Sequence, residues 1–257
     1  MSQSILREVA HRPWQMPQRP WVMRQTWNDL LFAHWPVEPA LLRSLVPGSF
    51  ELDTFDGAAW VGVVPFWMSG VALRGTPSLP AFPELNVRTY VTAGGRAGVF
   101  FFSLDAASPL AVWGARTFLN LPYFRAAMAV SSSAEVQYTS RRHGNGQTAE
   151  FLASYQADGA PFHPAGGTLE WFLTERYCLY HLGRGGAPSR LEIHHPRWLL
   201  QRAKASIEVN TMGRVNGIDL PARPPLLHFA KRQDMVAWSP ERVEVAAERI
   251  ALWSPVR

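Results

Sequence analysis

The 257-residue chain has one cysteine, Cys178, and two lysines, Lys204 and Lys231. A single thiol excludes an intrachain disulfide and any CxxC zinc or redox site, and it suits a reducing, cytoplasmic compartment. Charge is sparse as well, at 18% of residues with a net charge of +5. The densest basic groups, Arg141-Arg142-His143 and Lys231-Arg232, are too short for a polybasic nucleic-acid footprint and read as ion-pair partners or solvated loop ends. No run of about 18 apolar residues could span a bilayer, and the start, MSQSILREVAHRPWQMPQRPW, lacks the apolar stretch of a signal peptide. The eight histidines show no HxxxH or HxH spacing. His194 and His195, adjacent on an expected strand, point to opposite faces and cannot share a metal without distortion. Walker loops, GxSxG elbows and GxGxxG fingerprints are missing too. The expectation is a chain without metal, cofactor, nucleic acid or membrane partner.

What the chain has is apolar bulk: 47% hydrophobic residues, with 11 Trp and 14 Phe. That is enough for one large core, so a single domain over residues 21–257 is expected, preceded by a Pro-rich irregular arm over 1–20 that lies outside the core and is pinned by Trp14 and Trp21. Local patterns are mainly those of strands. PALLRSL, closed by Pro47-Gly48, predicts a short helix. AAWVGVVPFWMSG is apolar on both alternating faces, as in a strand covered on both sides, and Pro65 within it calls for an edge or a bulge. A Gly/Pro-rich loop over 70–83 is a candidate lid. Residues 84–91 alternate, with Glu84, Asn86, Arg88 and Tyr90 on one face, and Gly94-Gly95 turns the chain into the buried strand VFFFSLDA. Ser108 and Pro109 open a helix over 109–121, and residues 123–130 return as a strand. A hairpin turns at Gly144-Asn145-Gly146, Thr168 caps a helix over 168–181, and the remaining segments read as strands. The class is mostly β with a few helices (α+β).

Several segments, WNDLLFAHWPV, LRSLVPGSFELDTFDGAAWVGVVPFWMSG, FPELNVRTYV, FFSLDAASPLAVWGARTFLNLPYFRAAM, EIHHPRWLLQRAKASIEVNTM and LLHFAKRQDMVAW, resemble the YqjF-like family of uncharacterised proteins (DUF2071). That family is distantly similar to acetoacetate decarboxylase. The resemblance implies a β-barrel enclosing an apolar pocket, and the points of contact are a helix followed by Val-Pro (Leu41 to Pro47), Glu84, Arg116 and the dipeptide Tyr123-Phe124 that follows Pro122. In the decarboxylase this dipeptide is Lys-Lys, one lysine attacking the keto group while its cationic neighbour lowers its pKa. Tyr123 and Phe124 can do neither, and Thr117 stands where the enzyme has a glutamate. Schiff-base chemistry is therefore not expected.

The candidate catalytic residues are Glu84 and Tyr123, and the candidate ligand-binding residues are Arg88, Arg116, Asn86 and Phe124. If the Glu84 face looks into a barrel, burial should raise its pKa, and Arg88 can bind a carboxylate or phosphate bidentately. Tyr123 has a phenol that can donate a hydrogen bond or, if a nearby Arg depresses its pKa, act as acid or base. Two readings follow. One is a pocket protein that binds a small organic acid or keto compound and converts it as a cofactor-independent lyase or hydrolase by general acid–base chemistry. The other is a non-catalytic binding or scaffold protein, and in either case the chain is free to form homo-oligomers.

Overall fold

The structure is a computed structural model that describes residues 5–144 and 147–244. Three long strands form its middle: β1 (Met23–Val37), β3 (Ala59–Leu73) and β4 (Phe82–Ala93). β1 and β3 carry apolar residues at both odd and even positions, β4 alternates apolar with polar, and all three are buried on both faces. Leu31, Ala33, Val61, Val63, Leu85 and Val87 point to one core, while Leu30, Phe32, Val64, Phe66 and Phe82 point to another. Burying such a side chain contributes about 1.5–3 kcal/mol, so a strand with two buried faces is held far more firmly than an amphipathic one. Pro65 lies opposite the point where the β1–β3 register shifts between Asn28 and Ala33, beside Asp29 with its φ of 47°. The extra residue there is the irregularity that a strand proline requires.

The turn at Gly94 and Gly95, both with positive φ, leads into β5 (Arg96–Ala106). The other strands are β2 (Glu51–Leu52), β6 (Tyr123–Arg125), β7 (Ala127–Ser132), β8 (Val136–Gly144), β9 (Gln147–Phe162), β10 (Cys178–Leu182), β11 (Pro188–His194), β12 (Leu200–Asn210), β13 (Leu226–Ala237) and β14 (Glu241–Arg242). They share one sheet ordered β14-β11-β10-β5-β4-β3-β1-β13-β12-β9-β8-β7, with β2 on β4 and β6 on β5. β11 also pairs with β13, at Ile193 with Ala237 and His194 with Val236, so the path from β11 through β5, β4 and β1 to β13 returns to its start. Strands β8 and β9 lie over the outer face of this ring, where Tyr138, Phe151 and Tyr155 meet Leu31, Val63 and Val87.

The described helices are short: α1 (Pro39–Arg43), α2 (Pro109–Gly114), which continues as a π-helical turn (Ala115–Leu119), and α3 (Leu169–Thr174). Ser108 and Thr168 cap α2 and α3 as expected, accepting from the N–H groups of Ala111 and Trp171. None of the described helices is long and apolar enough to cross a membrane.

Three expectations are corrected. The helix expected over 168–181 stops at Thr174, and Cys178–Leu182 is strand β10 instead. Glu175 leaves the helix with ψ near 70°, and its carboxylate accepts from the Trp198 N–H and the Tyr177 hydroxyl, which turns the chain onto β5. The strand expected over 123–130 is divided into β6 and β7, and Tyr123–Arg125 lies parallel to β5. The described part of the arm enters the core: Ile5 and Arg12 are buried. Trp14 and Trp21 do contact the body, through Glu192 and Arg74 respectively. Asn145 and Gly146 of the expected hairpin turn lie outside the described residues, between the paired strands β8 and β9.

The β5–β10 contact depends on a glycine. A Cβ on Gly98 would stand 2.7 Å from both the carbonyl oxygen and the Sγ of Cys178 and 2.8 Å from Tyr180 Cε2. Gly98→Ala is expected to cost about 1–3 kcal/mol through overpacking. Urea unfolding would measure it, and a change within 0.5 kcal/mol would show that the β5–β10 approach is looser than described.

Candidate functional site

A cavity of about 560 Å³ lies within the ring of paired strands. All seven strands of the ring line it, through Leu30 of β1, Phe66 of β3, Glu84 of β4, Phe101 of β5, Leu179 of β10, Leu191 of β11 and Met235 of β13. Its mouth is formed by Thr76, Pro77 and Leu79 of the loop expected to be a lid, and by Leu110, Trp113 and Phe118 on and after α2. The volume is within the range of pockets that hold small ligands.

The polar groups of the wall are few. Strand alternation places Glu84, Asn86 and Arg88 of β4 on the cavity side, while Leu85 and Val87 face the outer core. Glu84 is 2% exposed. Burial raises its carboxyl to about 8, against a hydrogen bond from Tyr123 that works to lower it, and Asp105 behind the sheet adds to the rise. Tyr123 donates to Glu84 Oε2 over 2.9 Å. Its phenol is pushed well above the usual value of 10, by burial first and then by Glu84. Tyr123 therefore keeps its proton and serves as a fixed hydrogen-bond donor to Glu84.

Arg88 reaches away from Glu84, and its Nη2 donates to the Leu173 carbonyl oxygen and the Tyr90 hydroxyl at 3.1 and 3.3 Å. Its guanidinium lies over the Phe32 ring. Among the described residues no carboxylate pairs with it, and its Nε is buried without a hydrogen-bond partner. Asn86 Oδ1 and Trp198 Nε1, both on this wall, are likewise buried without partners. Such orphaned groups inside a cavity are what a polar ligand would satisfy. A second cavity arginine, Arg176, is already held by Asp53 at 2.6 Å. His195 is kept neutral, burial lowering it to about 4, with Nε2 3.2 Å from the Arg176 carbonyl oxygen and Nδ1 3.0 Å from Gln233 Nε2.

The structure thus brings Glu84, Asn86, Arg88 and Tyr123 to one cavity and leaves Arg116 and Phe124 outside it. Arg116 is exposed on the π-helical turn. Phe124 points out of the wall that Tyr123 faces, and its ring covers the Arg142 guanidinium at 3.9 Å. Arg142 is the arginine beside Asp105, at 3.4 Å. Lys204 and Lys231 pair with Asp158 and Asp29, and neither lines the cavity. Arg176, His195 and Trp198 belong to the wall but were not among the expected site residues; no periodicity marks them, since they come from the segments flanking β10 and β11. Among the described residues there is no group of three or more His, Cys, Asp or Glu placed to hold a metal ion.

Residues 24–234 match the family DUF2071, described as "Uncharacterized conserved protein". The chain is 49% identical over 227 residues to the uncharacterized protein YqjF of Bacillus subtilis (strain 168), covering 87% of this chain and 93% of that protein. Its fold is similar to that of acetoacetate decarboxylase from Legionella pneumophila, with a TM-score of 0.61 at 13% identity over 93% of this chain and 94% of the other. It is also similar to the enduracididine biosynthesis enzyme MppR complexed with pyruvate, with a TM-score of 0.58 at 10% identity over 92% and 95% of the two chains.

Proposed function

The chain belongs to the DUF2071 family, and we propose that its ring of strands works as a barrel whose cavity takes up a small organic acid or keto compound. The observation that carries this reading is the shared wall of β4, where Arg88, free of any described carboxylate partner, stands on the same face as Glu84. An arginine so placed binds a carboxylate through charge-assisted hydrogen bonds, strengthened by the apolar surroundings. A carboxyl raised to about 8 is protonated at neutral pH and can donate to a ligand carbonyl oxygen, or take up a proton once ionised. Tyr123 fixes its orientation. A keto acid, pyruvate, is the compound held by MppR, which shares the fold.

This chemistry does without a Schiff-base lysine, because both lysines are exposed, paired and away from the cavity. Turnover, where it occurs, is that of a cofactor-independent lyase or hydrolase. A purely binding role is favoured by one observation: among the described residues, the only ionisable side chains that line the cavity are Glu84, Arg88, Arg176, His195 and Tyr123.

Incubating wild type and Glu84→Gln with a cell metabolite extract, then reading both the solution and the ultrafiltered protein by mass spectrometry, separates the two. We expect an acid to be retained by both proteins and converted by wild type alone. Retention without conversion by either would leave the binding role and remove the acid–base one; retention by neither would remove both.

A further inference from the structure

The cavity wall also constrains the length of its ligand. Glu84 and Arg88 are four residues apart on an extended strand, about 13 Å between their backbones. Arg88 is held by Tyr90 and Leu173, farther along the strand, while Glu84 is held by Tyr123. The two polar groups therefore point to different levels of the cavity, and a two- or three-carbon acid is too short to touch both. At about 560 Å³ the cavity has room for on the order of fifteen to twenty water-sized groups. The space beyond Glu84 is apolar, past Phe82 and Met68, and it opens between side chains that are themselves exposed: Leu73, Leu110, Trp113 and Phe118 at 59%, 56%, 57% and 72%. Exposed apolar side chains grouped at the mouth of an apolar cavity mark a path for apolar matter.

Resting on the acid-binding reading above, we infer that the ligand is a monocarboxylic acid with a long apolar body. Its carboxylate meets Arg88, its middle passes Glu84 and Tyr123, and its tail runs to the rim of Trp113 and Phe118. Such a ligand fills the cavity where a pyruvate-sized one leaves most of it unused. It also puts the group next to Glu84 several bonds from the carboxylate, so that any proton transfer there acts in mid-chain.

The probes are pyruvate, hexanoate, octanoate, decanoate and methyl decanoate, titrated while following the tryptophan fluorescence, to which Trp27, Trp113, Trp198 and Trp238 of the cavity lining contribute. We expect pyruvate to bind weakest, affinity to rise about fourfold for each methylene from hexanoate to decanoate, and methyl decanoate to bind at least tenfold more weakly than the acid. Arg88→Gln should abolish the preference for acid over ester while keeping the dependence on length. If that variant does not fold, the acid–ester comparison in wild type decides alone. Pyruvate binding as tightly as decanoate would overturn the long-chain inference and leave the acid site standing. Equal binding of acid and ester would overturn the role of Arg88, and with it both readings.

Discussion

Glu192→Ala is expected to cost about 3–5 kcal/mol of folding stability, because it strips the counter-charge from a buried arginine. Glu192 is fully buried on β11 and accepts from Arg12 at 3.0 Å, from the Trp14 indole at 2.9 Å and from Arg96 at 2.5 Å, with Arg190 at 3.2 Å. Arg96 and Arg190 retain some solvent, but the Arg12 side chain is 1% exposed and cannot recover hydration when its partner goes. Burial lowers the Arg12 pKa, and Glu192 is the charge that opposes that effect. Urea unfolding of Glu192→Ala, Arg12→Met and the double variant would apportion the energy. The double variant should recover part of the loss, since it leaves no lone buried charge on this pair. A loss below 1 kcal/mol in Glu192→Ala would mean that the arm does not bind the body as described.

The second large effect concerns pH. Glu84 stands near 8 in the folded chain against an ordinary value of 4.5. Below about pH 4.5 the carboxyl is neutral whether the chain is folded or not, and its stabilising contribution is fully present. As pH rises from about 4.5 to 8 the unfolded chain releases this proton and the folded chain keeps it, so stability falls; above about 8 the folded chain releases it too and the decline ends. Glu84→Gln has no proton to release. The stability of wild type relative to this variant should therefore fall by about 1.4 kcal/mol per pH unit across that window, approaching about 4–5 kcal/mol in all. Asp105, raised by burial to about 6, slopes the same way but is present in both proteins and largely cancels. Parallel urea titrations at pH 4, 6 and 8 measure the difference. A flat difference would mean that Glu84 is ionised at neutral pH, and the acid role proposed for it would go.

The strands were legible where each residue's environment follows from its neighbours in sequence. The doubly apolar run of β3 and the turn at Gly94-Gly95 are of this kind, as are the Ser108 and Thr168 caps. β10 was not, because Trp171, Phe172, Thr174, Glu175 and Cys178 recur at helical spacing past the point where the helix ends. What ends it is tertiary: a carboxylate reaching the Trp198 N–H and a parallel neighbour that only the folded chain supplies. The site divides in the same way. Alternation along β4 brought Glu84, Asn86 and Arg88 to one face. The same alternation, applied to β6, separates Tyr123 from Phe124, yet resemblance to the decarboxylase had set them side by side as one functional dipeptide. Glu192 left a readable trace, a charge between Leu191 and Ile193, but nothing near it in sequence names Arg12 and Trp14, the partners that lie about 180 residues away in the arm.

The ring of strands is sealed at a narrow seam, two residue pairs between β11 and β13. Over that seam lies the arm, with Arg12 donating to the Ile193 carbonyl oxygen and His194 Nε2 3.0 Å from the carbonyl oxygen of Ile5. β1 likewise takes one of its neighbours from β13, roughly two hundred residues later in the chain. On the ribosome, β1 can pair with β3 early, but it must wait for β13 before its other edge is covered. At about 5–20 residues per second, that leaves β1, apolar on both faces, without its β13 edge for on the order of ten seconds or more. Refolding of the full chain should be slow for its size, as expected where long-range pairings close the structure, and the exposed β1 edge is where association between unfinished chains would begin.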